Sequence, residues 1–191
     1  MKKILFLLFF ATLSFTVFGQ KKKPTVKVVA TSSLPKLDNL QVEIKNGNFQ
    51  IAIAEKGKTN ESIVVKAVDA AFKPIDCKLT SFVASGVKLY LLTWKEVSTL
   101  KTGSKTEDKT TVYHIIYELI SKKQVYSNYQ LTNHITEKVS LGGTAATETQ
   151  EKIRREGFEF VLNPDGSVTQ KGKNQQTTFV YNKDKMEFVK K

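Results

Sequence analysis

The sequence predicts an all-β protein, an antiparallel meander that closes into a barrel, with a β-sandwich as the alternative. Two observations support this fold class. Apolar and polar residues alternate from Thr25 onward, and short turn motifs rich in Asn, Gly, Pro and Asp separate the alternating runs. Because successive runs are joined by short connections, sequential hairpins are expected, and a barrel follows from them more directly than a sandwich.

The first nineteen residues have the layout of a secretory signal peptide, with two lysines before the apolar stretch Ile4–Phe18. Small residues are preferred at the cleavage site, so we expect cleavage after Gly19 and a mature chain that begins at Gln20. Export places the protein in the periplasm or outside the cell. Lipid attachment at the cut would need a cysteine there, but the only cysteine is Cys77. After cleavage no transmembrane span is expected.

Composition limits the classes of protein that remain. The chain carries 30 basic and 18 acidic residues, and loss of the two signal-peptide lysines lowers its formal charge from +12 to +10. Residues 20–24 read as a disordered basic leader. Residues 25–191 are expected to form one β domain that needs no disulfide to build a core. Cys77, set among alternating strand residues, is expected to be a buried thiol.

The first clear element is a hairpin with an Asn46–Gly47 turn, because Asn-Gly supplies the two positive φ angles that a tight hairpin turn requires. With these two residues as the loop, Ile44 is expected to pair with Phe49 and Val42 with Ile51. The apolar side chains then share one buried face.

Three further strands and a loop follow. The strands are expected at Ser62–Val68, Ile75–Val83 and Val87–Lys95. A three-residue Ala84–Gly86 loop should join the last two as a bulged hairpin. The strand after this loop is apolar on both faces, which indicates a central position in a sheet. Residues Ser98–Lys109 are polar and predict a loop.

The next pair of strands, Thr110–Ser121 and Gln124–Leu141, contains the longest alternating pattern in the chain. A capping-box pattern at Thr147–Gln150 then predicts one short helix near residues 145–156, although Ile153 is almost its only apolar residue. The chain ends in short strands, the first two joined by an Asn163-Pro164-Asp165-Gly166 turn.

Candidate ligand-binding residues come from the long pair of strands. A three-residue turn at Ser121–Lys123 would pair His114 with Gln130 and collect polar, uncharged side chains on one face. The members of this face are His114, Tyr126, Asn128, Gln130, Thr132 and His134. Amides, hydroxyls and an aromatic edge without charge suit a polar small molecule or a glycan.

The sequence contains few residues and no motifs that are typical of a catalytic or metal-binding site. The chain has two histidines and one cysteine, with no nucleophile-elbow, zinc-binding or phosphate-binding motif, so no metal and no cofactor are expected. Glu118 is the weak catalytic candidate, because burial in an apolar strand would raise its pKa. A hydrolase that uses such carboxylates is therefore one alternative.

The sequence thus predicts an exported, basic, non-enzymatic binding or interaction protein. Its net positive charge supports a second alternative, attachment to a polyanion or an anionic envelope surface. Against that alternative, the lysines are scattered and no specific nucleic-acid motif accompanies them.

Overall fold

The computed structural model describes residues 34–55, 58–142 and 146–191. The signal peptide and basic leader predicted for residues 1–24 lie outside the described residues. The described ranges contain strands and turns but no helix, so the all-β class is confirmed. It follows that no helix in these ranges is long and apolar enough to cross a membrane.

Thirteen strands in the described ranges form three antiparallel sheets. Sheet A has the order β1 (Lys36–Leu37), β2 (Leu40–Lys45), β3 (Asn48–Glu55) and β4 (Lys58–Ala67). Sheet B has the order β5 (Ile75–Ala84), β6 (Val87–Thr102), β7 (Lys105–Glu118), β8 (Lys123–Ser140) and β9 (Thr147–Gly157). Sheet C has the order β10 (Glu159–Leu162), β11 (Val168–Lys171), β12 (Gln176–Asn182) and β13 (Glu187–Lys190). Across the described strands no sheet closes into a barrel, whereas the arrangement is compatible with the sandwich alternative.

Turn chemistry explains two of the hairpins. Asn46 and Gly47 have φ angles of 51° and 73°, and β2 pairs with β3 in the predicted register, Ile44 opposite Phe49. The β5–β6 hairpin differs from the expectation. Ala84 pairs directly with Val87, so Ser85 and Gly86 alone form the loop, and both have positive φ. A two-residue turn of this kind follows the twist of its strands without a bulge.

The first apolar core joins sheet A to one face of sheet B. Phe49 of β3 lies against Trp94 of β6 with ring centroids 5.2 Å apart, and Trp94 stacks on Tyr113 of β7 at 4.7 Å. The Lys66 ammonium of β4 binds the Glu96 carboxylate at 2.9 Å and ties the sheets together at the margin of this core. Sheet A therefore covers only the half of sheet B that ends near Trp94.

The second core lies on the opposite face of sheet B, beneath sheet C. Adjacent residues of β6 alternate between the cores, Leu92 in the first and Leu91 in the second. The Asn163–Gly166 turn forms as predicted and packs against the end of β5, where a Cβ on Gly166 would lie 2.3 Å from the Val83 carbonyl oxygen. Sheet B is therefore the middle layer, which explains why its strands are apolar on both faces.

Sheet B continues beyond both cores, and among the described strands neither sheet A nor sheet C pairs with this part, which we call the extension. It consists of Lys95–Thr102 of β6, Lys105–Val112 of β7, Gln130–Ser140 of β8 and Thr147–Gly157 of β9. Neither core includes a residue of these segments. From the standard strand rise and spacing, the extension measures about 24 Å along β6 and β7, about 34 Å along β8 and β9, and about 14 Å across the four strands.

The extension corrects two expectations. Ser98–Lys109 is not a loop, because β6 and β7 pair continuously up to Thr102 opposite Lys105, with a turn at Gly103 and Ser104. The helix expected near residues 145–156 is strand β9, which pairs with β8 without a register shift. Ile153 alone could not hold an amphipathic helix on a core, whereas the edge of β8 supplies backbone hydrogen bonds to a strand of any composition.

Candidate functional site

The β7–β8 pairing decides which predicted site residues share a face. His114 lies opposite Asn128 rather than Gln130, and a bulge separates Ile116 from Tyr117. The observed partner of His114 is two residues away from the predicted one. Because residues two apart in a strand lie on the same face, His114 still lies on the same side of the sheet as Asn128 and Gln130. The predicted face was therefore correct, but the predicted three-residue turn Ser121–Lys123 was wrong. Glu118 pairs with Lys123, so residues 119–122 form the turn, and the pairing differs from the predicted one by two residues.

Three of the predicted residues lie between sheets B and C. The His114 ring stacks on Phe160 of β10 with centroids 4.3 Å apart, and Tyr126 contacts Phe160, Phe179 and Phe188. The Asn128 amide donates to the Phe158 carbonyl oxygen at 2.9 Å and accepts from Gln170 at 3.2 Å. Sheet C therefore covers His114, Tyr126 and Asn128.

Burial determines the chemistry of this covered group. It lowers the pKa of His114 to about 4 and raises the pKa of Tyr126 to about 12. Both side chains are therefore neutral over the ordinary pH range. His114 Nδ1 is buried without a hydrogen-bond partner among the described residues. A buried ring nitrogen without a hydrogen bond lowers the stability of the folded chain, because it has lost its hydrogen bonds to water.

The other three predicted residues, Gln130, Thr132 and His134, lie on the extension. They occupy the face on the same side as sheet C, which we call the C-side face. Its hydroxyl, amide and imidazole side chains are Thr99, Thr106, Thr110, Gln130, Thr132, His134, Thr136, Ser140, Thr147 and Thr149. Across the four strands, Thr99, Asp108, His134 and Ile153 form one continuous row.

A shallow open depression of about 580 Å³ marks this face. Asp108, His134, Thr136, Glu151 and Ile153 contribute to its lining. The Thr99 hydroxyl donates to the Asp108 carboxylate at 2.5 Å, which fixes one oxygen of the acidic group. The depression offers hydrogen-bonding groups of both kinds beside one exposed aliphatic side chain, Ile153. With two carboxylates in its lining, such a surface can orient a polar ligand that donates hydrogen bonds.

The opposite, A-side face of the extension has a different chemistry. Glu107 of β7 binds the ammonium groups of Lys105 and Lys109 and accepts a hydrogen bond of 2.9 Å from Asn133. Hydrogen bonds from Lys105 and Asn133 lower the pKa of Glu107 to about 2. These charged groups satisfy one another beside the buried Ile135 and Asn133, so this part of the A-side face combines an ion-pair network with two buried side chains.

Glu118 closes the β7–β8 turn. Its carboxylate accepts hydrogen bonds from the backbone N–H of Ile120 at 2.9 Å and of Ser121 at 2.7 Å, and from the Ser121 hydroxyl. Burial acts to raise the pKa of Glu118, but these hydrogen bonds outweigh it and the pKa is lowered. The direction is opposite to the one that burial alone led us to expect. Both oxygens are engaged in the turn, which gives no support to an acid or base role.

The structure also shows the surroundings of the possible metal ligands and of the Cys77 thiol. In the described part of the chain no group of three or more His, Cys, Asp or Glu side chains is placed to hold a metal ion. Cys77 is a free, half-buried thiol that packs against the first core, and burial raises its pKa to about 12. A thiol with so high a pKa is a poor nucleophile at neutral pH.

Sequence reasoning missed the β6 and β7 parts of the extension. A usable signal was the length of the alternating pattern in β8, because a strand of eighteen residues needs long partner strands to satisfy its backbone hydrogen bonds. The threonines on either side of Gly103 and Ser104 supply the β-propensity for that partner. Comparison with family models, curated proteins and solved structures finds no match to this chain.

Proposed function

We propose that this chain is an exported, non-enzymatic binding protein whose C-side face holds a polar ligand, with an oligosaccharide as the ligand class. One observation carries the proposal. A four-stranded part of sheet B bears hydroxyl, amide and imidazole groups on a face that neither core includes.

The apolar side chains that the extension exposes support a functional role for it. A sheet normally buries one face to gain stability, and this one exposes apolar side chains such as Val97 and Ile153 by 58% and 53%. Its length far exceeds what the two cores need. A binding surface accounts for both features, since the same groups gain contacts when a ligand covers them.

The chemistry of the C-side face favours a neutral polar ligand. Threonine hydroxyls, the Gln130 amide and the His134 imidazole both donate and accept hydrogen bonds, as the hydroxyl groups of a sugar require. Export by the signal peptide predicted for residues 1–19 would bring such a protein into contact with envelope or extracellular glycans, which is consistent with this ligand class. An extended face suits a chain of sugars better than a compact metabolite, because only an extended ligand contacts several strands at once.

A specific arrangement of charges favours a second candidate, an acidic polymer. Lys101 of β6, Lys138 of β8 and Arg155 of β9 lie on the margins of the same C-side face. Basic groups at a margin attract a polyanion through interactions that salt weakens strongly. The ligand would then be an acidic polysaccharide bound along these margins rather than over the Asp108 and Glu151 carboxylates that line the depression.

The test is binding of the purified mature chain to an array of immobilised neutral and acidic oligosaccharides at low and high salt. The informative variant is Thr110→Val/Thr132→Val, which removes two hydroxyls that lie opposite each other on the C-side face. Its matched control is Thr111→Val, which removes a hydroxyl from the neighbouring residue on the A-side face. Two lost hydrogen bonds are expected to weaken binding about tenfold or more.

The proposal requires binding that the double variant weakens and the Thr111→Val control preserves. Binding that survives high salt identifies a neutral glycan, and binding that salt abolishes identifies an acidic one. Absence of binding to every oligosaccharide, or equal losses in the two variants, would contradict the proposal.

A further inference from the structure

The outer edge of β9 is a second surface with its own chemistry. The hydrogen bonds Leu141 N–H to Ala146 oxygen and Phe158 N–H to Tyr129 oxygen fix which residues of β9 face β8. Even-numbered residues direct their backbone groups toward β8, because such pairs alternate along an antiparallel ladder. The odd-numbered residues of Thr147–Gly157 therefore direct their N–H and C=O groups away from the sheet.

This edge lacks most devices that stop strands from pairing. β9 is long, contains no proline and shows no bulge in its register with β8, and no described strand pairs with its outer side. Sheet edges of this kind are templates for another strand unless charge or distortion blocks them. Here the charges are of both signs, with three glutamates and three basic residues along the strand. These charges favour a partner strand with complementary charges and do not block all strand pairing.

Symmetry restricts how a second copy can pair with this edge. Two antiparallel strands from identical chains are related by a two-fold axis normal to the sheet. The side chains of two paired residues, one from each copy, therefore lie on the same face of the joined sheet. The residue at the axis pairs with the same residue of the second copy, and naming this central residue defines the whole register. Registers that pair seven or more residues of β9 are centred on residues 150, 151, 152, 153 and 154.

One register avoids all opposition of like charges. Centres at 151, 152 and 154 place Glu151, Lys152 or Arg154 opposite its own copy, and the centre at 153 places Lys152 opposite Arg154. These registers are disfavoured, because like charges directly opposite destabilise a strand pair. The centre at Gln150 instead places Glu148 opposite Lys152 of the second copy, twice, and Gln150 opposite itself.

We propose that two copies of this chain associate through β9 in the register centred on Gln150, which joins the two copies of sheet B into one continuous ten-stranded sheet. Seven residues from each copy, Thr147–Ile153, pair across the axis. The axis normal to the sheet keeps both C-side faces on the same side. A dimer would therefore present a polymer with two adjacent binding faces and raise avidity. The association itself does not depend on the proposed function.

The test is sedimentation velocity of the mature chain from about 1 μM to about 1 mM, since an edge contact is small and is expected to be weak. Lys152→Glu places glutamate opposite Glu148 and is expected to weaken association at least tenfold. Glu148→Lys/Lys152→Glu restores the ion pairs with reversed signs and is expected to restore association. Arg155→Glu is the matched control, with the same change of charge on the same strand but outside the paired segment.

Disulfide trapping tests the register independently, in a Cys77→Ser background. Gln150→Cys places two thiols opposite each other in a pair without mutual hydrogen bonds, a spacing that a disulfide can bridge. It should give an oxidised dimer, whereas Ile153→Cys should not, because its partner is Thr147. A wild-type chain that stays monomeric, equal effects of Lys152→Glu and Arg155→Glu, or crosslinking through residue 153 in place of 150 would each overturn the proposal.

Discussion

Leucine-to-alanine substitutions along strand β6 should separate the covered half of sheet B from the extension. Leu89 and Leu92 are fully buried, in the second and first core respectively, while Leu100 on the extension is 55% exposed. Truncation removes three carbons, worth about 2.4 kcal/mol of transfer free energy at full burial, and leaves a cavity that adds to the cost. We expect losses of about 3 kcal/mol for each buried leucine and at most about 1 kcal/mol for Leu100.

The assay is equilibrium urea unfolding followed by fluorescence of Trp94, the single tryptophan, which is 1% exposed and should report loss of the first core. Similar losses for Leu89 and Leu92 with a small loss for Leu100 support a middle layer that serves two cores. A loss for Leu100 as large as that for Leu92 would refute the argument, because the extension would then have to be covered.

Three further outcomes follow from the structure. Gly157→Ala should lower the free energy of unfolding by about 2 kcal/mol or more in the same assay, because Gly157 has a φ of 76° and an added Cβ would lie 2.1 Å from the Tyr129 carbonyl oxygen. Burial lowers the pKa of His114 to about 4, so unfolding should become easier as pH falls from 6.5 to 4, where the unfolded chain takes up a proton that the folded chain does not. A His114→Phe variant measured over the same pH range should lose that component. The Cys77 thiol, with a pKa of about 12, should react with a disulfide reagent at pH 8 at least about tenfold more slowly in the folded chain than in urea.

The sequence predicted best where local turn chemistry and hydrophobic pattern agree. Asn46–Gly47 fixes a two-residue loop, and the alternating residues on either side leave only one register that buries a continuous face. The all-β class follows from many such units. The arrangement of the sheets depends instead on contacts between residues far apart in the chain. A pattern such as Leu91–Leu92, apolar on both faces, indicates a buried strand but does not name the two layers that cover it.

The β6 and β7 parts of the extension were missed because these two segments bury few apolar side chains, so the hydrophobic period that identifies strands is absent from them. Lys105, Glu107 and Lys109 alternate on one face as charges that satisfy one another. Only part of the candidate site could therefore be predicted from the sequence. Parity placed the polar residues of β8 on one face, but it could not show that sheet C covers Asn128 and leaves His134 exposed. Coverage is a tertiary property that strand alternation does not encode.

Residue-resolved amide hydrogen exchange of β7 tests most directly whether the extension exists as a folded part of sheet B. β7 lies between β6 and β8, so the amides of Lys105–Val112 are hydrogen-bonded within a sheet, although neither core formed by the described residues includes this segment. We expect these amides to exchange much more slowly than unstructured peptide. Exchange at the unstructured rate throughout Ser98–Lys109 would show a loop there, and would contradict both the extension and the binding face built on it.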